Sequence, residues 1–383
     1  MARIVPTTKN ILVIAGDPSG DLHASNLITA LKKKDPGFSI SSLGGVRMQE
    51  VSSHFIYNLA NVGAMGFAAP IRHFVLWVKL IGLVRRYLEE RRPACVIAVD
   101  FYGFNHQILG LAHHRKIPAF YYISPQVWAS RPGRAKRIAK LVKEIFLIFP
   151  FEKEIYEKAG AKCEFVGHPL IDLVPPPTAG PAENKKGAWR IGILPGSRLQ
   201  EITKHLTVFV EAFYKIKSVY PDSRAYLFAV PEFSDETLKS MLAGINPQSA
   251  GEIEIVRELD YKIRSTMDFS FASSGTATLE NALMGVPMVV AYKMPALTYQ
   301  VAKRLIKIPY ISLVNILLKN AVVKELVQKK AVPDRLAQEA FAVLNNPARV
   351  EKEKQTLTSV RGMLGSPGVA ARVAERILNY LKQ

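Results

Sequence analysis

Cysteine is nearly absent from this 383-residue chain, which holds only Cys95 and Cys163. Each lies at the edge of an apolar run. Buried thiols in a reducing compartment are expected, and a disulfide framework or cysteine-based metal site is excluded. The eight histidines are scattered, and the one close pair, His113-His114, would face different ways on a helix, so no metal is expected. Acidic residues are scarce too, 32 Asp and Glu against 51 Lys and Arg, giving a net charge of +19. That excess asks for nucleic acid, an anionic membrane surface or an anionic substrate as partner. No stretch approaches the roughly 20 apolar residues of a spanning helix. The short run Ile11–Ala15 leads into a polar turn, as a first strand does and a secretory signal does not. Gly-Lys-Ser/Thr and Gly-x-Gly-x-x-Gly are both missing, which argues against ATP hydrolysis and NAD. A cytoplasmic chain, soluble or bound to a surface, fits these absences.

Hydrophobic residues make up 49% and charged residues 22%, the balance of a folded globular protein, and the length suits two domains. Strands are expected at Asn10–Ala15, Ser39–Leu43, Ala94–Val99, Ala119–Ile123, Glu144–Phe149 and Cys163–Val166. A second set is expected at Arg190–Leu194, Arg224–Ala229, Glu252–Val256, Phe269–Ala272 and Met288–Tyr292. These runs are apolar and uninterrupted, as parallel strands covered on both faces are. Helical patterns alternate with them. The Pro- and Gly-rich stretch 175–187 reads as a linker. The expected architecture is α/β, two doubly wound Rossmann-like domains with a cleft between them. Their bounds are 1–174 and 188–366, with a terminal helix in 367–383 packing on the amino-terminal domain or on a partner.

Two turns carry the chemistry. Phe271-Ala-Ser-Ser-Gly-Thr276 ends a strand and opens a helix, and Ile191-Gly-Ile-Leu-Pro-Gly-Ser-Arg198 does the same. At such turns backbone N–H groups and the positive end of the helix dipole face an anion. Gly196, Ser197 and Arg198 of one turn, followed by Glu201, and Ser274, Gly275 and Thr276 of the other, followed by Glu280, are the candidate ligands. Arg198 is placed to clamp a diphosphate. An ordinary helix N-cap is the plain reading of either turn alone. Two in one parallel sheet point to a nucleoside diphosphate across the strand ends.

Two basic segments account for part of the charge. Ile71–Leu88 is apolar, with Arg72, Lys79, Arg85 and Arg86 dispersed along it and Trp77 near its centre. Such a helix lies in a membrane interface or packs as a core helix with snorkelling cations. Phe74, Trp77, Lys79, Leu80 and Arg85 are its expected membrane or acyl contacts. Arg131–Lys143 carries six basic residues and no acid, which suits a solvated face or a patch facing phosphate or anionic lipid. No nucleic-acid-binding module accompanies the charge, so nucleic acid is not expected as partner.

Nine short motifs occur in order: Gly16-Asp-Pro-Ser-Gly-Asp21, Ala64-Met-Gly66, Asp100–Asn105, Ser124-Pro-Gln-Val-Trp-Ala129, Pro150-Phe-Glu152, Gly167-His-Pro169, Leu194-Pro-Gly-Ser-Arg198, Ser274-Gly-Thr-Ala277 and Ser312–Asn315. Together they resemble the lipid-A-disaccharide synthase family, glycosyltransferases of the two-domain GT-B type, over about residues 10–380. The resemblance implies transfer of a sugar from UDP-2,3-diacylglucosamine to 2,3-diacylglucosamine 1-phosphate (lipid X). The products would be a β-1,6-linked disaccharide 1-phosphate and UDP, formed with inversion and without metal or cofactor. It further implies peripheral work at the cytoplasmic face of the inner membrane. It leaves oligomeric state open.

Residue by residue, the resemblance makes Asp100 the general base, with Asp17 and Asp21 as rival carboxylates. It puts Arg198 and Ser197 on the UDP diphosphate, Glu280 on the sugar or ribose, and Asn315 near the nucleotide. His23 and His168 are expected to be structural. The chain departs from the family pattern at Asp17, where Glu is usual, and at Ala69, Ser130 and Val314. Those changes bear on the acceptor side more than on the donor side. Two other readings compete: a UDP-N-acetylglucosamine 2-epimerase-like enzyme, and a non-catalytic relative that binds lipid or nucleotide sugar.

Overall fold

The computed structural model describes residues 9–60, 70–129, 132–177, 187–230, 233–305 and 308–383, without the side chains of residues 70–74, 297, 301, 302 and 305. They form two compact units, one of residues up to Pro169 together with Leu364–Gln383, the other Leu170–Met363.

In the first unit, strands β1 (Asn10–Ala15), β2 (Ser39–Gly44), β3 (His54–Asn58), β4 (Cys95–Val99), β5 (Ala119–Tyr122), β6 (Glu144–Leu147) and β7 (Cys163–Phe165) form one sheet in the order β3-β2-β1-β4-β5-β6-β7. Every neighbouring pair is parallel. Parallel neighbours need helical crossovers, and helices on both faces exclude water from the strands. Thus Ile11–Ala15 is fully buried, as are Cys95–Ile97 and Phe120–Tyr122. The terminal helix Val369–Lys382 closes this same unit. Its apolar stripe of Val369, Val373, Ala374, Ile377 and Leu378 is buried. Lys34–Glu375 (2.9 Å) ties it to the helix Pro18–Lys34, and Arg376 bridges to Glu144 and Glu164 (2.5 Å each).

In the second unit, β8 (Arg190–Leu194), β9 (Arg224–Phe228), β10 (Ile253–Val256), β11 (Phe269–Ala272), β12 (Met288–Tyr292) and β13 (Lys324–Val327) run parallel in the order β10-β9-β8-β11-β12-β13. The helix Leu199–Val219 buries Leu206, Phe209, Phe213 and Ile216 against this sheet's core.

Two strands, β3 and β13, are absent from the sequence-based assignment. Both lie at sheet edges, where strands are short and polar; no residue of β3 is fully buried. The sequence places the domain boundary at the linker 175–187. In the structure Leu170–Pro177 belongs to the second unit, and Arg361 donates to the carbonyls of Val174 (2.9 Å) and Pro175 (2.8 Å). Residues 178–186 of that linker lie outside the described residues.

Candidate functional site

The carboxyl end of β4 holds a strained backbone. Asp100 (φ 47°) and Phe101 (φ 45°) are consecutive left-handed residues, and neither is glycine. Each such residue costs roughly 1–2 kcal/mol, so packing must hold the turn. The Phe101 ring lies close against Gly16, where a Cβ would stand 2.0 Å from it, and contacts Trp77 (5.9 Å between centroids) and Phe104 (6.3 Å). The Asp100 carbonyl accepts from Tyr121 Oη (2.6 Å) and Asn105 Nδ2 (2.8 Å). Asn105 is fully buried, and burial pushes the Tyr121 hydroxyl well above its ordinary pKa, so both stay neutral donors. Strain so heavily supported at a strand end is a mark of function.

The rival carboxylates have structural work. Asp17 caps the helix Pro18–Lys34, its Oδ1 accepting from Gly20 N–H (2.6 Å). Asp21 is 4% exposed and accepts from the N–H groups of Gly45 (2.6 Å), Arg47 (3.1 Å) and Met48 (3.1 Å), capping the helix Val46–Val51. Its carboxylate therefore serves as a structural cap, shut from solvent. His23 and His168 are buried and held neutral by burial, with pKa values lowered to about 4 and about 3.

In the second unit the β8 turn bends at Gly196 (φ 117°), where a Cβ would stand 2.6 Å from Glu201 Oε2. Arg198 begins the helix Leu199–Val219, largely exposed and 3.3 Å from Glu201 Oε1. Glu201 also accepts from Ser197 N–H (3.3 Å), so it braces the turn. Next to it in the sheet, β11 is followed by Ser273, whose N–H donates to Leu194 O (2.8 Å) and locks the two turns side by side. The helix Thr276–Met284 then starts with Gly275 and Thr276 exposed and no side chain capping it. Open N–H groups and a positive dipole end face outward there.

Two sequence-predicted ligands are held by neighbouring side chains. Glu280 pairs with Arg264, which also donates to Asn281 Oδ1 (2.8 Å) and Ala277 O (2.8 Å) and is 8% exposed. Asn315 is fully buried, and its amide is spent on Val323 O (2.8 Å), Val323 N–H (2.9 Å) and Glu325 (2.8 Å). Glu325 in turn accepts from the N–H groups of Ile311 (3.0 Å) and Ser312 (2.9 Å), and Ile311 O receives Ser274 Oγ (2.7 Å). Asn315 thus positions Ser274 through Glu325.

Sequence reasoning missed three features. Glu152 is fully buried and joins two motifs, accepting from Ser124 Oγ (3.1 Å), Trp128 Nε1 (3.2 Å) and Phe149 N–H (3.2 Å); burial raises its pKa to about 7. His205 spans two strand ends. Its Nε2 accepts from Lys293 N–H (2.9 Å), so Nδ1 carries the proton donated to Pro195 O (2.9 Å), and burial lowers its pKa. A cavity of about 500 Å³ opens beside it, lined by Lys204, Lys293, Met294, Gln328, Lys329 and Val332. The i to i+4 spacing from Glu201 to His205 was readable; its reach to β12 was not.

On the helix Pro70–Arg91 the membrane-contact assignments divide. Leu80 is 2% exposed and belongs to the core, because helical period turns it inward with Val84 and Leu88. Trp77 is half-buried against Phe101 and Phe104 (5.6 Å), under the strained turn. Lys79 and Arg85 are exposed, beside Val75 (48%) and Val78 (53%). Phe74 lies outside the described side chains, and residues 64–66, Ala69 and Ser130 lie outside the described residues. Among those described, no helix is long and apolar enough to cross a membrane.

Comparison with known proteins fits this geometry. A solved UDP-GlcNAc 2-epimerase of Neisseria meningitidis bound to UDP-GlcNAc covers 97% of this chain and 100% of its own, at 12% identity and TM-score 0.65. The Methanocaldococcus jannaschii UDP-GlcNAc 2-epimerase gives 14% identity and TM-score 0.61 over 97% and 99% of the two chains. Identities this low show the fold alone, two Rossmann-like units of GT-B type. Sequence relatives go further. Lipid-A-disaccharide synthases of Geobacter sulfurreducens and Anaeromyxobacter dehalogenans are 36% and 34% identical, each over 98% of both chains. A family model described as lipid-A-disaccharide synthetase matches residues 11–370. The chain belongs to the lipid-A-disaccharide synthase family of glycosyltransferases.

Proposed function

We propose that this enzyme transfers 2,3-diacylglucosamine from its UDP derivative to 2,3-diacylglucosamine 1-phosphate. The products are a β-1,6-linked disaccharide 1-phosphate and UDP. The observation that carries the reading is the full-length match to synthases of that name, and the strained Asp100 turn and the paired anion turns support it. Asp100 takes the proton from the acceptor's 6-hydroxyl as its oxygen attacks the donor's anomeric carbon. The bond from that carbon to the diphosphate breaks from the opposite side, which inverts the centre. Charge gathering on the departing UDP is met by Arg198, the Ser197 turn and the open helix start at Thr276, placed before the reaction begins. Glu280, steadied by Arg264, takes a sugar or ribose hydroxyl. The enzyme works peripherally at the cytoplasmic face of the inner membrane, its basic apolar helix presenting Val75, Val78, Lys79 and Arg85 to anionic lipid.

A transfer assay with both acylated substrates in mixed micelles tests this. Disaccharide 1-phosphate with stoichiometric UDP supports it. UDP binding without product favours the non-catalytic relative, and a mannosamine product from nucleotide sugar alone favours the epimerase.

A further inference from the structure

Arg134 and Arg137 lie three residues apart on the helix Gly133–Ala139, and so on one face of it. The Arg134 guanidinium rests over the Tyr102 ring, 4.3 Å from its centroid, and Tyr102 stacks on His106 at 5.2 Å and 5° from parallel. Tyr102 Oη and His106 Nδ1 are buried without a hydrogen-bond partner among the described residues. Neither arginine, nor Lys136, Lys140 or Lys143, has a carboxylate partner among those residues. Burial and then the charges of Arg137 and Arg134 lower the pKa of His106. Like charges one turn apart repel, and an anion between them relieves the repulsion. A guanidinium stacked on a ring keeps its N–H edge for an oxyanion.

The location gives the anion a purpose. Tyr102, which lies under the Arg134 guanidinium, follows Asp100 by two residues. We propose that Arg134 and Arg137, with Tyr102 and His106, form a phosphate-monoester site that holds the acceptor's 1-phosphate beside Asp100. This rests on the transfer reading above. Free phosphate and anionic lipid headgroups share the chemistry, so the test separates the three.

The kinetic arm compares the phosphorylated acceptor with its dephosphorylated counterpart in wild type, Arg134→Ala and Arg137→Gln. The wild-type preference for the phosphorylated acceptor, in kcat/KM, should fall at least about tenfold in either variant, the scale of one charged hydrogen bond. An unchanged preference overturns the site. So does loss of binding to phosphatidylglycerol vesicles with acceptor preference intact, which would make the patch a headgroup contact. The second arm needs no turnover: inorganic phosphate should shift the His106 ring signals in NMR spectra of wild type and not of Arg134→Ala. No shift in wild type overturns the site. A shift in a chain that transfers nothing overturns only the functional reading.

Discussion

The first unit ends β4 in two left-handed non-glycine residues, Asp100 and Phe101, whereas the second ends β8 in Gly196, the residue type that takes such a φ readily. The first unit buries groups whose pKa values are moved by desolvation, His23, His168, Tyr121 and Glu152, and Tyr121 donates to the Asp100 carbonyl itself. Around the second lie exposed groups, Arg198, Gly275 and Thr276, backed by the partly buried pairs Arg264–Glu280 and Asn315–Glu325. On the proposed mechanism the contrast follows from what each end handles. Moving a proton calls for a carboxylate fixed in orientation, and fixing it requires a rigid, tightly packed surround. Binding a diphosphate calls for open N–H groups and a cation that reaches into solvent.

The comparison is broken most sharply at Asp100. Asp100→Asn should lower turnover by about 10²- to 10⁴-fold, the usual scale of a general base, as read by steady-state kinetics. Arg264→Ala should destabilise the second unit by about 3–5 kcal/mol in chemical denaturation, since it strands Glu280 with an uncompensated charge. Replacing Arg198 with Ala should weaken UDP by about 1.5–3 kcal/mol in calorimetry, by loss of charge-assisted hydrogen bonds. Glu152 supplies a pH test confined to the first unit. Its folded pKa of about 7 lies above the ordinary 4.5, so the folded state holds the extra proton. Its contribution to stability is full below pH 4.5 and is lost as pH rises through 7, at no more than about 1.4 kcal/mol per pH unit. Glu152→Gln should flatten that slope in denaturation measured across pH. The smallest effect is at the surface: Val75→Ser with Val78→Ser should reduce liposome cosedimentation while sparing turnover in detergent micelles. Trp77→Ser should do the reverse, because Trp77 packs under Phe101.

Most of the fold was legible because fully buried parallel strands read as unbroken apolar runs. The edge strands β3 and β13 lacked that signature. Both Gly- and Ser-containing turns were legible as strand, small-residue turn and helix start. The services performed by Asp21, Asn315 and Glu152 were not. Each depends on partners far along the chain: Asp21 on Gly45, Asn315 on Val323 and Glu325, Glu152 on Ser124 and Trp128. Leu80 misled for another reason. An apolar helix gives no sign of which side its core lies on until neighbouring elements are placed.

The most direct measurement is UDP affinity in Asp100→Asn beside its turnover, with Arg198→Ala as the counterpart. The division of labour predicts an unchanged UDP dissociation constant in Asp100→Asn with turnover nearly lost, and a raised constant in Arg198→Ala. A UDP constant that moves with Asp100, or turnover that survives its replacement, would contradict it.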